Sequence, residues 1–330
     1  MHHWHLQRSD AFHDLLVEPL TPYLDMEIKG WDGNQPIAET ESLPHVFCQL
    51  LPPSDWLARI PDQLVWIPMW DSARWWKQRQ WDRLPKALRV VAFSNATARF
   101  AEAAGLPTLR LKFYKDVDQF PAARWDRRVL FYWNRTGMVN RAFLAKICAV
   151  LDVDRVLFRP QIDPRIPEMA HYIPPEHLGR ARVEVIADVT TRDACWAKMR
   201  EANIFIAPRL YEGAGMTFLE ALAQGCAVFA HDAPTMNEYI TSGEDGFLFR
   251  PISRWSARGL SRRLRGRLAK FHLVNEPPPN EALALAQDWD VMRTLDLHML
   301  GNAARERHRT GFQQWQASLD TYAQFVLGQM

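Results

Sequence analysis

Short apolar runs recur along the chain and alternate with stretches that carry hydrophobic residues at helical spacing. Runs of four to eight apolar residues between turn residues are typical of strands buried on both faces. We predict strands at 2–6, 26–29, 45–50, 64–71, 88–93, 109–113, 129–133, 155–158, 183–186, 203–206 and 226–230. This alternation predicts an α/β protein with parallel sheets covered on both faces.

Helix signals fill the intervals between these strands. Ser94 is suited to cap a helix that ends at Gly105, and Ser9 to begin a helix that Pro19 ends. Further helical patterns cover 143–150, 192–202 and, as a long amphipathic stripe, 301–326. The intervals between strands are therefore long enough for the crossover helices of a parallel sheet.

One stretch, 204–230, combines a strand, a glycine-rich turn, a helix at 216–224 and a second strand. Gly213 and Gly215 leave backbone N–H groups bare at the start of the helix, where its dipole adds partial positive charge. That combination suits a phosphate. Glu212 and Glu220 flank the turn eight positions apart, and sugar hydroxyls are good partners for carboxylates placed there. The alternative is an ordinary strand-helix unit with two solvated glutamates.

The run Glu-Gly-Ala-Gly-Met-Thr-Phe-Leu-Glu at 212–220 resembles the E-x7-E signature of retaining glycosyltransferases of family 4, which have the GT-B fold. The resemblance implies that Glu212 contacts the sugar of a nucleotide diphosphate sugar and that Glu220 binds the nucleotide ribose. It also implies a donor-binding backbone at the turn. The donor-binding positions implied there are Gly213, Ala214, Gly215, Met216 and Thr217.

A second part of the resemblance lies after the predicted strand 129–133. Family members carry Gly-Arg there and a lysine six residues beyond, and both cations bind the donor diphosphate. In this chain Asn134 stands for the glycine, followed by Arg135, and Arg141 stands for the lysine. Two cations can neutralise a departing diphosphate without a metal. The alternative is a pair of solvated surface arginines.

The first half departs from the family pattern. The glycine-rich first loop is replaced by His-Leu-Gln-Arg-Ser at 5–9, and Trp70-Asp71 stands where His-Asp is common. Asp71 either orients the acceptor hydroxyl, as a residue at the carboxyl end of a strand, or caps a helix. Five tryptophans crowd into 66–81; we expect most to pack in the core and one or two to line an acceptor groove. We expect His231 to be structural.

Composition limits the other possibilities. A formal net charge of +2 gives no reason to expect nucleic acid as a partner, and the four cysteines are far apart, which fits free thiols in a reducing cytoplasm. The start of the chain has no long apolar core, so we expect no secretory leader there, and no run reaches the length expected of a membrane span. The segment 254–270 has seven basic residues, no acid and leucines every four positions. It is either a packed helix with a solvated face or a peripheral contact with an anionic membrane.

The resulting expectation is an α/β protein of GT-B architecture, with two Rossmann-like doubly wound parallel-sheet domains facing a central cleft. Residues 1–128 are expected to bind the acceptor, 129–310 the donor, and the C-terminal helix 311–330 to return to the first domain. The implied activity is a retaining, metal-independent glycosyltransferase that needs no cofactor. It moves a sugar to a glycan, lipid-linked or other acceptor, in bacterial surface polysaccharide or glycoconjugate synthesis. The alternatives are a catalytically silent GT-B partner or adaptor subunit and a nucleotide-sugar epimerase of the same fold.

Overall fold

The computed structural model describes residues 2–6, 18–30, 44–135, 141–160, 173–187, 191–207, 209, 211–249 and 288–330. The chain divides into two compact units, each built around its own sheet. Unit 1 comprises Met1–Tyr114, Tyr211–Met216 and Thr310–Met330, and unit 2 comprises Lys115–Leu210 and Thr217–Arg309.

Unit 1 contains a six-stranded sheet in the order β2-β1-β3-β4-β5-β6, with every neighbouring pair parallel. Its strands are β1 His2–Leu6, β2 Met26–Gly30, β3 His45–Cys48, β4 Leu64–Ile67, β5 Arg89–Ala92 and β6 Thr108–Arg110. Four helices lie between them: α1 Ser54–Arg59, α2 Trp70–Ala73, α3 Gln78–Trp81 and α4 Asn95–Ala103. Short 3₁₀ turns occur at Glu18–Leu20 and Pro61–Gln63.

Unit 2 contains a seven-stranded sheet in the order β13-β12-β11-β7-β8-β10-β9. Its strands are β7 Val129–Trp133, β8 Arg155–Arg159, β9 His177–Leu178, β10 Ala181–Val185, β11 Ile204–Ile206, β12 Ala227–His231 and β13 Phe247–Phe249. The helices are α5 Arg141–Val150, α6 Arg192–Met199, α7 Met216–Gln224 and α8 Asp288–Arg293, with 3₁₀ turns at Val117–Gln119 and Met236–Glu238. All neighbouring strands are parallel except β9 and β10.

Each sheet has its own hydrophobic core, because the strands are apolar on both faces. All residues of β3, β4, β11 and β12 are buried. In unit 1 the strands pack against tryptophans of the helices, with Trp66 and Trp81 ring centres 5.2 Å apart. In unit 2 Leu144 and Ile147 of α5 pack on the sheet. The predicted fold class, α/β with Rossmann-like parallel sheets, is confirmed.

The end of the chain consists of α9 Leu297–Ala317 and α10 Leu319–Leu327. In unit 1 the Arg89 guanidinium donates to the carbonyls of Phe325 and Val326, at 2.8 and 2.9 Å. These are last-turn carbonyls of α10, where a cation also interacts favourably with the helix dipole. The Phe93 ring lies 6.1 Å from Trp315 and 6.3 Å from Tyr322. The tail is thus held on β5 by both polar and aromatic contacts.

Several local predictions are confirmed and others are wrong. Ser94 caps α4, its hydroxyl accepting from the Thr97 N–H at 3.1 Å, as predicted. The prediction that a strand reaches Asp71 is wrong: β4 ends at Ile67, because Pro68 has no N–H for the ladder, and Asp71 lies in the first turn of α2. The antiparallel β9 was not predicted.

Two further predictions concern segments that lie outside the described residues: the helix that Ser9 was expected to begin, and the basic segment 254–270. Within the described part of the chain, none of the helices is both long enough and apolar enough to cross a bilayer. The four cysteines are buried free thiols, as expected.

Candidate active site

The glycine-rich turn and α7 have the local structure predicted for a phosphate-binding element. Glu212 is buried, with 7% of its surface exposed, and Gly215 has φ of 68°, a left-handed conformation that favours glycine. Helix α7 begins at Met216, so the first N–H groups after the turn have no acceptor within the helix. Gly225, with φ of 85°, ends the helix as predicted.

In unit 1 the turn packs directly on the residues that follow β4. A Cβ at Gly213 would lie 2.9 Å from the Met69 Cβ and 3.2 Å from the Asp71 Oδ1. Only glycine fits there without displacing the segment that carries Asp71. Two residues that the sequence predicted separately, Asp71 and Gly213, are therefore brought together.

The guanidinium group of Arg74 belongs to the same region of unit 1, and it was not predicted from the sequence as a site residue. The Arg74 Cζ lies 3.8 Å from the centre of the Trp75 ring and 3.9 Å from that of Tyr211, within cation–π distance of both. Burial lowers the pKa of Arg74, while Tyr211 and Asp71 act in the opposite direction. Its Nε is buried and has no hydrogen-bond partner among the described residues. Trp75 itself is 70% exposed.

Most of the other tryptophans in the predicted cluster belong to the core. Trp66 and Trp81 are buried, and the Trp76 ring centre lies 5.4 Å from that of Trp66. Trp75 is the exception, because it is the one large exposed aromatic ring of that cluster. The expectation that most of the cluster packs inside is confirmed, and Trp75 becomes the candidate for a surface contact.

In unit 2 the second glutamate of the motif is a buried carboxylate between two cations. Glu220 is 4% exposed, and its Oε1 lies 3.9 Å from the Lys115 Nζ and 3.9 Å from an Arg192 nitrogen. The Arg192 Cζ lies 4.2 Å from the Trp196 ring centre. Buried ion pairs contribute little net stability because desolvation offsets their attraction. A buried carboxylate at this place is therefore a candidate for ligand binding, and the role of Glu220 remains a prediction.

Lys115 is held in place through its backbone. Its N–H donates to the His308 Nε2 at 2.9 Å, and both residues are buried. Burial lowers the pKa of His308 to about 3, with Arg305 and Lys115 acting in the same direction. The imidazole is therefore neutral at ordinary pH, which lets Nε2 accept. The C-terminal end of α7 is fixed as well, because the Gln224 side-chain amide donates to the carbonyls of Met199 and Ala202, at 3.1 and 2.7 Å.

The predicted diphosphate residues lie at the carboxyl end of β7. Asn134 is fully buried, accepts from the Tyr132 hydroxyl at 3.4 Å and donates its N–H to the Arg159 carbonyl at 2.8 Å. Arg135 follows it, with its Cζ 4.9 Å from the Trp133 ring centre. Arg141 is the exposed first residue of α5. The roles of these residues remain predictions.

The order of the strands in unit 2 shows where along their carboxyl ends a ligand is expected to bind. From β7 the chain proceeds to β8 and β10 on one side and then to β11, β12 and β13 on the other. The carboxyl ends of β7 and β11 therefore form the topological switch point, where doubly wound sheets bind ligands. Arg135 follows β7, and the chain leaving β11 leads to α7.

Two other features of unit 2 lie at opposite ends of its strands. His231, at the end of β12, is buried and its pKa is lowered to about 4 by burial, with Asp232 opposing. A cavity of about 550 Å³ opens at the amino ends of β7, β8 and β10. There Arg155 pairs with Glu184 at 2.9 Å, an internal ion pair at the edge opposite the predicted site. Neither feature is assigned a role.

The described residues contain no group of three or more His, Cys, Asp or Glu side chains that could hold a metal ion. The family resemblance also implies that the nucleobase binds near 186–189, and of these residues 188 and 189 lie outside the described part of the chain.

Comparison with known proteins gives one family match and several structural likenesses. Residues 174–264 match the family model described as "Glycosyl transferases group 1". The chain is similar to HepE of Anabaena, solved in complex with UDP and glucose, with 14% identity, a TM-score of 0.56, and coverage of 97% of this chain and 99% of that chain. It is also similar to sucrose-phosphate synthase of Thermosynechococcus elongatus, with 14% identity, a TM-score of 0.52, and coverage of 87% and 74%. Among curated proteins, none matches the chain in sequence.

A third similar structure is a glycosyltransferase of Rickettsia africae, with 15% identity, a TM-score of 0.50, and coverage of 86% of this chain and 77% of that chain. These likenesses support the GT-B fold. The match over residues 174–264 confirms the prediction of a glycosyltransferase domain in this part of the chain.

Proposed function

We propose that the chain is a retaining, metal-independent glycosyltransferase that moves a sugar from a nucleoside diphosphate sugar to an acceptor hydroxyl. The acceptor is a glycan, a lipid-linked sugar or a related glycoconjugate, in the synthesis of bacterial surface polysaccharide. A cytoplasmic location, with peripheral contact to anionic lipid through 254–270, belongs to the same proposal and rests on the sequence.

The observation that carries the proposal is the charge distribution at the switch point of unit 2. Arg135 follows β7 there, and the chain leaving β11 leads to a buried Glu220 held 3.9 Å from both Lys115 and Arg192. Cations suit a diphosphate, and a fixed carboxylate suits the vicinal hydroxyls of a ribose. A nucleoside diphosphate contains both groups side by side.

In the proposed reaction the bond between the anomeric carbon and the diphosphate breaks, and the acceptor oxygen bonds to the same face of that carbon. The acceptor proton passes to the leaving phosphate oxygen. Arg135, Arg141 and the N–H groups at the start of α7 stabilise the negative charge that develops on the leaving group. Glu212 holds the donor sugar, and Glu220 holds the ribose.

On the acceptor side the proposal assigns Asp71 and the exposed ring of Trp75. Aromatic faces pack on the apolar C–H faces of pyranose rings, and Trp75 is 70% exposed. Asp71 accepts a hydrogen bond from the acceptor hydroxyl and thereby orients it. The adjacent Arg74, between two rings, keeps Trp75 in a fixed orientation.

The test is product release by the purified full chain in EDTA, beginning with UDP-glucose because HepE was solved with UDP and glucose. A panel of other nucleotide sugars, first ranked by thermal shift, follows. We expect free nucleoside diphosphate to accumulate with at least one donor. Activity that is lost in EDTA and restored by Mn²⁺ or Mg²⁺ would remove the metal-independent mechanism. Nucleotide binding without any turnover would instead identify a catalytically silent partner subunit.

A further inference from the structure

Arg74 is a cation of unit 1 whose planar guanidinium lies between two aromatic rings. Its Cζ lies 3.8 Å from the centre of the Trp75 ring and 3.9 Å from that of the Tyr211 ring. Both rings are within cation–π distance, and arginine suits this arrangement because its flat group stacks on ring faces. A guanidinium held in this way forms hydrogen bonds only around its edge.

The edge of this guanidinium is not used by the protein itself. Nε is buried and has no hydrogen-bond partner among the described residues. The two terminal nitrogens, Nη1 and Nη2, form no hydrogen bond or ion pair with any residue that the structure describes, and neither is a buried atom. Asp71 acts on Arg74 electrostatically and opposes the lowering of its pKa by burial. The terminal nitrogens are therefore oriented donors that a ligand can reach.

Arg74 lies on the same helical turn as the two residues assigned to the acceptor. Asp71, Arg74 and Trp75 are spaced by three and four positions, so their side chains are neighbours on one side of that turn. The Asp71 Oδ1 lies against Gly213 of the glycine-rich turn, and Trp75 is 70% exposed. One face of unit 1 therefore presents a carboxylate, a guanidinium edge and an open aromatic ring.

The chemistry of this face selects among sugars. A guanidinium edge presents paired N–H donors that match the two oxygens of a carboxylate or a phosphate, whereas the hydroxyls of a neutral sugar fill that edge poorly. The two rings keep water from the faces of the Arg74 guanidinium, so an anion there is attracted more strongly than by a fully solvated arginine. Stacking also fixes the side chain before a ligand arrives, which lowers the entropy lost on binding.

We infer that the acceptor is an acidic sugar whose carboxylate or phosphate group binds Arg74. This inference rests on the proposed function, which assigns Asp71 and Trp75 to the acceptor. The sugar ring packs on Trp75, one hydroxyl donates to Asp71, and the anionic group accepts from Nη1 and Nη2 of Arg74. Arg74 thus determines specificity for a charged acceptor over a neutral one. A uronic acid and a sugar phosphate share this chemistry, and the experiment separates them.

The experiment is titration of the full chain with three probes, followed by ligand-observed NMR. Methyl glucoside is neutral, methyl glucuronide carries a carboxylate and glucose 6-phosphate carries a phosphate. Saturating UDP is present throughout, so that the anionic probes do not occupy the donor site. Arg74→Gln removes the charge and keeps a planar group, Arg74→Lys keeps the charge, and Arg83→Ala removes an exposed arginine of the same unit as the control. UDP affinity and circular dichroism melting are recorded for each variant.

We expect the wild type to bind at least one anionic probe more tightly than the glucoside, by roughly 10- to 100-fold, the size of a charge-assisted hydrogen bond. Arg74→Gln abolishes this preference and leaves the affinities for the glucoside and for UDP unchanged. Arg74→Lys recovers part of the preference, and Arg83→Ala binds all probes as the wild type does. The anionic probe that binds more tightly identifies the acceptor group as a carboxylate or a phosphate.

A wild type that binds UDP but shows no preference for either anionic probe would overturn this inference only. Equal weakening of neutral and anionic probes in Arg74→Gln would mean that Arg74 does no more than orient the Trp75 ring. A fall in UDP affinity in Arg74→Gln, without a change for the anionic probes, would move Arg74 to the donor site. A wild type that binds no UDP would overturn the proposed function together with this inference.

Discussion

The residues assigned to donor and acceptor differ in their chemistry. Those of unit 2 are mostly cations around one buried carboxylate: Lys115 and Arg192 lie beside Glu220, and Arg135 lies over an aromatic ring. Those of unit 1 include an exposed tryptophan and a single arginine between two rings. The first set suits a compact dianion, and the second suits the flat ring of a sugar.

The side chains of the two units also differ in how far they are exposed to solvent. Glu220 and Arg159 are 4% and 5% exposed, whereas Trp75 is 70% exposed. Buried charges with fixed partners favour one ligand geometry, because little reorganisation is possible. An exposed ring accepts many sugars. The comparison therefore predicts that changes in unit 2 affect nucleotide and turnover, and that changes around Trp75 affect only the acceptor.

The largest effect is expected at the diphosphate cations. Arg135→Ala or Arg141→Ala should lower turnover by roughly 10²-fold or more, since each removes a preorganised partner of the leaving group. Lys146→Ala, an exposed cation on the same helix as Arg141, should be close to wild type. Steady-state rates of nucleoside diphosphate release measure this. Near-normal rates in both arginine variants would remove the diphosphate assignment.

Substitution of Glu212 and of Glu220 should change different kinetic parameters. Glu220→Gln weakens a charge-assisted bond made in ground state and transition state alike, so KM rises by roughly 10- to 100-fold with a smaller change in kcat. Glu212→Gln acts near the anomeric carbon, so kcat falls while nucleotide affinity stays nearly unchanged. Kinetics of both variants test this, and the reverse pattern would mean that the roles are exchanged.

A smaller effect is expected on the acceptor side. Trp75→Ala should raise the acceptor KM by about 2- to 10-fold, the size of a lost aromatic stacking contact, and Trp75→Phe should raise it less. Hydrolysis of the donor by water should be unchanged in both variants. A change in donor hydrolysis equal to the change in transfer would place Trp75 outside the acceptor site.

The smallest effect on chemistry is expected at His308, which acts on stability. In the folded chain its pKa is lowered to about 3 by burial, against about 6.5 when unfolded. The unfolded state therefore takes up the proton first, so the contribution of His308 is full above pH 6.5 and is lost as pH falls towards 3.

His308→Ala leaves the Lys115 N–H without its acceptor and should cost about 1–3 kcal/mol near neutral pH. The difference in Tm between wild type and variant should shrink as pH falls from 7 to 4. His298→Ala, at an exposed position of the same helix, is the control and should follow the wild type. A Tm difference that does not vary with pH would contradict the neutral, accepting His308.

The sequence predicted what depends on neighbours in the chain. The strand 129–133, the cap at Ser94 and the helix from Met216 to Gly225 follow from apolar runs, one hydroxyl and one glycine. The sequence places Met216, Leu219, Leu222 and Ala223 on one stripe of that helix, whereas all residues from Phe218 to Gln224 are buried. Burial on every face of a helix cannot be predicted from the helix sequence alone, because it depends on the elements that pack on each side.

The site was less predictable, because its partners are distant in sequence. Lys115 precedes the first strand of unit 2 and lies outside every predicted element, yet its Nζ lies 3.9 Å from the Glu220 carboxylate. Arg159 follows the predicted strand 155–158 and is buried against the Trp133 ring, which lies on a neighbouring strand. The predicted strand 64–71 follows an apolar run that continues past Pro68. The strand itself ends at Ile67, because Pro68 has no N–H to donate to the neighbouring strand, so Asp71 is not at a strand end.

The most direct test of the account is calorimetric titration of the full chain with UDP in EDTA. The wild type, Glu220→Gln and Trp75→Ala are compared under the same conditions. We predict that the wild type binds one UDP per chain without added metal, that Glu220→Gln binds at least tenfold more weakly, and that Trp75→Ala binds as the wild type does. No binding by the wild type, or equal affinities in wild type and Glu220→Gln, would contradict the assignment of unit 2 as the nucleotide site.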